Sequence, residues 1–504
     1  MAPESFRWDL DDGGESWIGT DSDESKHEVY SLTRPELPLY ARVADALARD
    51  IREGLYAPGD RLPSVRELTC RLGVSTSTVV EAFGQLLDRG LVASRPQVGF
   101  FVRPEVGALE TPAMSKPRLM PTTVSTSEIA IEVVQATADP ELVAFGSALP
   151  NVELEAPRAV RRLLARAARA ARALAYATPP GLRELRVQIA RRAMDAGCEV
   201  TADDVVITSG CQEAVVLSLR AIANPGDTIA VESPTFYGTL QAIQSLGLRA
   251  LEIPTHPDTG IHLESLEMAI EQFPIKGCIV TPAASNPLGT TMSDERKIAL
   301  LQILATRDVP LIEEDIHGDL VFASPRPRAI KSWDTKGQVL LCSSVSKSIA
   351  PGLRVGWAIA GRFAARVNYL KLVSSMASAT LPQMAVAEYL SGGGYDRHLR
   401  GARSFYARSR DALVDLVARH FPRETKVTRP SGGFVAWVEL PREVDAVALY
   451  RRALAEGVSV APGPLFSARA KYRHFLRLNY AQPWDERTRK AIQRLGRLAS
   501  EGER

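Results

Sequence analysis

Cysteine is scarce in this 504-residue chain. Five residues, Cys70, Cys198, Cys211, Cys278 and Cys342, stand far apart, and no two form a CxxC pair. An odd number without metal-ligand spacing argues against a disulfide framework or a zinc cluster and points to a reducing compartment, the cytoplasm. No uninterrupted apolar run approaches the roughly 18–20 residues that a helix needs to cross a bilayer. The acidic start, MAPESFRWDLDDGGES, lacks the charged-then-apolar pattern of a signal sequence, so neither export nor membrane insertion is expected. An excess of one charge is missing too: 61 Lys+Arg balance 59 Asp+Glu, a formal net charge of +2. Such a chain is no polycation drawn wholesale to phosphate, and any nucleic-acid contact must come from a local surface. Repeats and low-complexity tracts are absent. What remains is 45% apolar residues, enough to bury large cores, over a length that suggests two to four units at roughly 100–200 residues each.

The texture of the chain divides it. Residues 1–33 hold nine Asp/Glu against Arg7 and Lys26 and read as a disordered acidic tail. From 34 to 104 three helices are expected. The first repeats Val43, Leu47 and Ile51 on one face and ends near Gly54. The second spans about Ser64 to Leu72, and the third runs from Ser75, a plausible N-cap, to Arg89 before Gly90. LVASRPQVGFFV then reads as a hairpin around Pro96 and Gly99. Residues 105–140 mix Pro, Ser, Thr and Met without sustained period and read as a linker. In 141–504, short apolar runs ending in Gly, Pro or polar residues alternate with helical stretches: DVVITSG, TIAVESP, GCIVTP, VPLIEED, QVLLCSS and RVGWAIA. That alternation predicts an α/β unit with a mostly parallel sheet whose functional loops lie at the carboxyl ends of the strands.

Three helices followed by a hairpin can set one helix in a DNA major groove with the hairpin beside it. Residues 34–104 carry ten Arg and eight Asp/Glu, so placement matters more than net charge. Arg61, Ser64 and Arg66 flank the start of the second helix, Ser75, Thr76, Ser77 and Thr78 open the third, and Arg95 and Gly99 lie in the hairpin. Hydroxyls and amides at a helix start bind phosphate, and guanidinium groups reach phosphate or a guanine edge. The run RLPSVRELTCRLGVSTSTVVEAFGQLLDRGLVASRPQVGFFV resembles the winged helix of the GntR superfamily of bacterial regulators, with Thr76 standing where many relatives carry Arg.

The large unit offers, in order, the parts that an aldehyde cofactor with a phosphate and a pyridine ring requires. Lys347 follows the strand QVLLC and is placed to be desolvated and nucleophilic. Ser344, Ser346 and Arg354 lie close enough along the chain to converge on a phosphate, and Ser209-Gly210-Cys211-Gln212 opens a helix whose amides form an anion site. These parts point to pyridoxal 5'-phosphate.

Residues 140–500 resemble the fold-type I, class I aminotransferases through YATPPG, TSGCQEAV, ESPTFYG, TPAASNPLG, LIEEDIHGDL, SVSKSIAPGLRVGW and FLRLNY. Joined to a GntR-type winged helix, this is the architecture of the MocR family of transcriptional regulators. The resemblance implies that Lys347 forms the aldimine, Asn286 donates to the ring hydroxyl, Phe236 stacks on the ring, Arg354 with Ser344 and Ser346 clamps the phosphate, and Arg477 grips a substrate α-carboxylate. It further implies that Tyr176 reaches the phosphate of a neighbouring subunit, hence a homodimer. Relatives read EDD with a tyrosine two places on. Here Glu313-Glu314-Asp315-Ile316-His317 puts Glu314 opposite the ring nitrogen, with Asp315 as the alternative if the register differs, and His317 in the tyrosine's place. AASNPLG replaces SHQNPTG. A longer acid and an imidazole favour sensing over efficient turnover. The expected protein is a cytoplasmic regulator that binds double-stranded DNA and senses an amine or amino acid by aldimine exchange. The alternatives are a working aminotransferase with a secondary DNA-binding unit and a repressor whose large unit only dimerises.

Overall fold

The computed structural model describes residues 38–88, 91–95, 98–102, 109–124, 129–151 and 153–501, with the backbone of two short strands, Asp9–Asp11 and Gly14–Ser16. Those two strands pair antiparallel within the segment read as an acidic tail, and the rest of that segment lies outside the described residues. The chain divides into two compact units, Met1–Ala108 and Leu109–Arg504.

In the first unit the helices are Leu39–Arg52, Val65–Leu72 and Thr76–Asp88. The predicted face repeat of the first helix is real: Val43 and Leu47 are wholly buried. Ser64 and Glu67 form a reciprocal capping box, and Gly73 ends the second helix in the left-handed conformation, which costs glycine least. Ser75 accepts from the Thr78 amide at 3.1 Å and starts the third helix. Val92–Arg95 and Gly99–Val102 pair antiparallel as the expected hairpin. Leu62, Leu68, Leu72, Val79, Phe83 and Leu86 close the core, at about 1.5–3 kcal/mol per fully buried large side chain.

In the second unit the central sheet runs in the order 260–261, 249–256, 228–233, 275–280, 311–314, 339–344, 356–359, 205–208. Its inner strands are parallel. Gly356–Ile359 runs antiparallel to both neighbours, and Gly260–Ile261 runs antiparallel at the other edge. Strands Thr228–Ser233, Leu311–Glu314 and Val339–Ser344 are buried along their whole length, because helices cover both faces; that is why they read as continuous apolar runs. A second, antiparallel sheet joins 426–427, 435–439, 475–479 and 461–462. It accompanies the 27-residue helix Gly394–His420.

The stretch 105–140 corrects the linker reading. From Leu109 onward it belongs to the large unit. Thr122–Thr123 pairs with the edge strand Arg249–His256, the Ser115 hydroxyl donates to the Ser233 carbonyl at 2.5 Å, and helix Ile129–Gln135 buries Ala130 and Val133. A two-residue strand and a two-turn helix are too short to show a period, so the pattern concealed them. All five cysteines are free, and among the described residues no helix is long and apolar enough to cross a membrane.

Candidate functional site

Five parallel strand ends and the strand Phe475–Asn479 bring the cofactor candidates together. Lys347 follows Val339–Ser344 and donates to the Ala148 carbonyl at 2.6 Å. Burial, then the nearby Arg477 and, more weakly, Arg354, lower its pKa to about 8, so the neutral, nucleophilic form is within easy reach. Ser344 and Ser346 are buried in the same loop, with the Ser346 amide donating to Ser344 Oγ at 3.2 Å. Arg354 stands at φ +50° and donates through Nη2 to the Ser209 carbonyl at 2.6 Å. That contact joins the loop of Lys347 to the helix start Ser209-Gly210-Cys211-Gln212.

Gly210 suits this turn by its backbone conformation and leaves room for the Arg354 guanidinium. Its φ is +91°, and a Cβ would come within 2.6–2.9 Å of the Arg354 guanidinium. Helix Cys211–Ile222 begins without a side-chain cap, leaving its first turn to an anion. Cys211 is buried, and Gln212 spends its side chain on the Gly238 carbonyl at 2.7 Å. Phe236, partly buried, packs tilted against Tyr237 at 4.6 Å.

Across the site, buried Glu314 has, among the described residues, hydroxyl partners alone: Thr281 at 3.2 Å and Thr239 at 3.4 Å. Burial raises its pKa to about 7 against those two hydrogen bonds, so a cationic ring nitrogen would find in it a proton acceptor that has no ionic partner among the described residues. Asp315, the other candidate, is engaged elsewhere. Side chains alternate along an extended strand end, and Asp315 leaves on the opposite face, where it forms an ion pair with Arg326. His317 is 2% exposed, and neither ring nitrogen meets a partner at hydrogen-bonding geometry. Burial first, then Lys347 and, more weakly, Arg477 press its pKa down to about 3 against the opposing pull of the Ala284 backbone, so the imidazole is neutral.

Arg477 lies on Phe475–Asn479 and is wholly buried. Its Nη2 donates to the Gly146 carbonyl, its Nη1 to Asn286 Oδ1 at 3.4 Å, and its Nε to nothing. Among the described residues it forms no ion pair with a carboxylate. An unpaired buried guanidinium is costly unless a ligand supplies the anion. Tyr176, by contrast, is 81% exposed.

Sequence reasoning missed several members. Tyr237 favours the charged form of Arg477. Asn479 holds the segment ahead of the site by donating to Ser147 Oγ at 3.1 Å and to the Leu149 carbonyl at 2.9 Å. Thr239 and Thr281 serve Glu314. Tyr237 and Asn479 lie inside motifs already singled out; the contact between Asn479 and Ser147, more than 300 residues apart, leaves no local signal.

In the small unit Arg61, Arg66, Ser75, Thr76 and Ser77 are exposed and Thr78 is half-buried. Ser64 is occupied by its capping box, and the Ser75 hydroxyl lies 2.8 Å from both Ser77 Oγ and Thr78 Oγ1. Arg61 packs on the hairpin: it bridges to Phe101, and a Cβ at Gly99, whose φ is +127°, would lie 3.2 Å from Arg61 Nε. The side chain of Arg95 lies outside the described residues.

Two observations of the large unit fit pyridoxal phosphate: a cradle at Gly210 that a single Cβ would fill, and buried His317 ring nitrogens that, among the described residues, reach no partner at hydrogen-bonding geometry. The model of the family described as aminotransferase class I and II matches residues 143–495, and that of the bacterial regulatory proteins of the gntR family matches residues 39–102. The chain is 42% identical over 459 residues to the HTH-type transcriptional regulator YjiR of Escherichia coli (strain K12), across 91% of this chain and 98% of that protein. To YdcR of the same organism it is 38% identical over 468 residues, across 92% and 99%. Among solved structures it resembles LysN, the α-aminoadipate aminotransferase of Thermus thermophilus complexed with N-(5'-phosphopyridoxyl)-L-leucine, at 28% identity and a TM-score of 0.69 over 75% of this chain and 96% of that one. The cofactor of this fold is pyridoxal phosphate. A GntR-type reader of DNA and an aminotransferase-like unit in one polypeptide place the chain in the MocR family of transcriptional regulators.

Proposed function

We propose that this protein is a homodimeric, cytoplasmic DNA-binding regulator whose large unit holds pyridoxal phosphate on Lys347 and senses an amine or α-amino acid by exchange at that nitrogen. When bound, the cofactor supplies an aldehyde that condenses with amines and a ring that draws electrons from the carbon beside the nitrogen. Lys347, with its lowered pKa, releases and regains a proton near neutrality. Ser344, Ser346, Arg354 and the uncapped helix at Cys211 hold the phosphate, Glu314 faces the ring nitrogen, and neutral His317 and Asn286 face the ring hydroxyl. Exposed Tyr176 and the neighbouring Leu174, 95% exposed, suit contact with a second copy. Arg61, Arg66 and the hydroxyls at Ser75–Thr78 meet double-stranded DNA.

The observation that carries the reading is Arg477. A wholly buried guanidinium without an acid partner among the described residues, beside a lysine of lowered pKa, supports recognition of a compound bearing both a carboxylate and an amine. To regulate, that compound must bind two arrangements of the protein unequally, and a tenfold effect needs about 1.4 kcal/mol of difference. The test uses a labelled duplex selected from random sequence for binding to the full-length, cofactor-loaded chain. Amino acids are titrated while fluorescence anisotropy reports DNA affinity. Arg477→Lys is expected to raise the half-saturating concentration of α-amino acids by about ten- to a hundredfold, the loss of one bidentate charged contact, with simple amines little affected. Sustained keto-acid production together with DNA affinity indifferent to every amine would overturn the regulatory reading in favour of an enzyme.

A further inference from the structure

The turn that carries Lys347 is gripped from behind by a helix that takes no part in the cofactor cluster. Ser348, the next residue, is held twice. Its carbonyl lies 2.7 Å from His398 Nε2, and its hydroxyl lies 2.9 Å from the Tyr395 phenol oxygen. His398 Nδ1 accepts from the Ala156 amide at 3.3 Å, so Nε2 carries the proton. Both residues belong to the opening turns of Gly394–His420.

The same phenol reaches a second turn. It lies 2.8 Å from Asp319 Oδ2, in the short turn Gly318–Leu320 that follows Glu314 and His317. A phenol has one proton and a carboxylate can only accept, so the proton goes to Asp319 and Ser348 supplies its own. Asp319 Oδ1 accepts from Arg326 Nε at 2.7 Å, and Arg326 also pairs with Asp315. The charges are settled across ordinary pH. Burial opposes it, but Arg326 and Arg192 hold the Asp319 carboxyl down to about 2. Burial and then Asp319 hold the phenol well above its usual range.

We propose that Tyr395 is a positioning residue whose single hydroxyl ties the turn bearing Lys347 to the turn following Glu314 and fixes both to helix Gly394–His420. The two loops that approach the cofactor, one with the exchanging nitrogen and one with the acid facing the ring, thereby share one anchor. The inference rests on the reading of Lys347 as the cofactor lysine.

The groups facing Lys347 are Cys211 from the strand–helix turn, Arg354 from its own loop, His317 from the turn after Glu314, and Arg477 from the second sheet. Arg477 and Arg354 disfavour a proton on the nitrogen. A loosened turn lets that nitrogen draw back from both arginines, so protonation becomes easier. The test measures the pH midpoint of the visible absorbance of the full-length, pyridoxal-phosphate-loaded protein in Tyr395→Phe, Ser348→Ala and the double variant. Tyr395→Phe keeps the ring, which packs 6.0 Å from Tyr389 and under Arg192, so folding is retained, and Ser348→Ala breaks the same link from the other side. Each single variant is expected to raise the midpoint by about half a pH unit or more, with the double rising no further than the larger single, because one link is broken once. Unchanged midpoints in both single variants overturn the proposal, as does a double variant equal to the sum of the two. A wild type that gains no absorbance with pyridoxal phosphate overturns it together with the cofactor-lysine reading. Shifted midpoints alongside DNA affinity that ignores amines support the anchor and defeat only the sensing reading.

Discussion

Replacing Lys347 with alanine is expected to abolish covalent attachment of the cofactor completely. After borohydride reduction and denaturation, wild-type protein should gain the mass of one pyridoxal phosphate per chain, and Lys347→Ala none. DNA affinity in the absence of amines should survive, since the winged helix is a separate compact unit, while every amine-dependent change in that affinity disappears. The pH dependence of capture follows from the state of the nitrogen. Only the neutral amine attacks an aldehyde. With a pKa of about 8, roughly one Lys347 in ten is neutral at pH 7, against fewer than about one in a thousand for an ordinary lysine. The capture rate should climb nearly tenfold per unit as pH rises toward 8 and level off above it. A rate still climbing steeply at pH 10 would show that Lys347 is neither buried nor crowded by Arg477. An amine-dependent change in DNA affinity that persists in Lys347→Ala would place sensing elsewhere.

Phe83→Ala is expected to cost about 3–5 kcal/mol. Phe83 is wholly buried and stacks on Phe100 with centroids 4.0 Å apart and planes 5° apart, so truncation removes both burial and the stack that fastens the hairpin to the third helix. For a unit of this size a loss of 1 kcal/mol lowers the melting temperature by about 4–8 °C, so the winged helix should melt more than about 10 °C lower. DNA binding should fail on the same profile. The visible absorbance of the cofactor should melt as in wild type, because Lys347 lies in the other compact unit. Loss of both signals at one lowered temperature would show that the two units unfold as one.

Much of this protein is legible in local pattern. Val43 and Leu47 mark a helix face that the core confirms, and Ser64, Gly73 and Ser75 act as caps and stops because capping depends on neighbours three or four residues away. The strand ends of the large unit stand out because a sheet covered on both faces demands continuous apolar runs, broken where the loops begin. Lys347 can be named for the same reason, just past the end of such a run, whereas the family motifs, not the pattern, single out Glu314 and Arg477. The linker reading fails where elements are too short to leave a period, at Thr122–Thr123 and Ile129–Gln135.

Residue order and spacing alone determine that a helical DNA reader precedes an α/β unit, and which side chains stand at the strand ends. Tertiary structure decides which of them meet. It sends Asp315 to Arg326 and leaves Glu314 to the hydroxyls of Thr239 and Thr281, since a single step along an extended chain reverses the face. Among the described residues it leaves Arg477 without a carboxylate and the His317 ring nitrogens without a hydrogen-bonding partner, because burial and pairing depend on residues hundreds of positions away. It also joins Ser348, Tyr395 and Asp319 through hydrogen bonds that only the folded backbone can bring about.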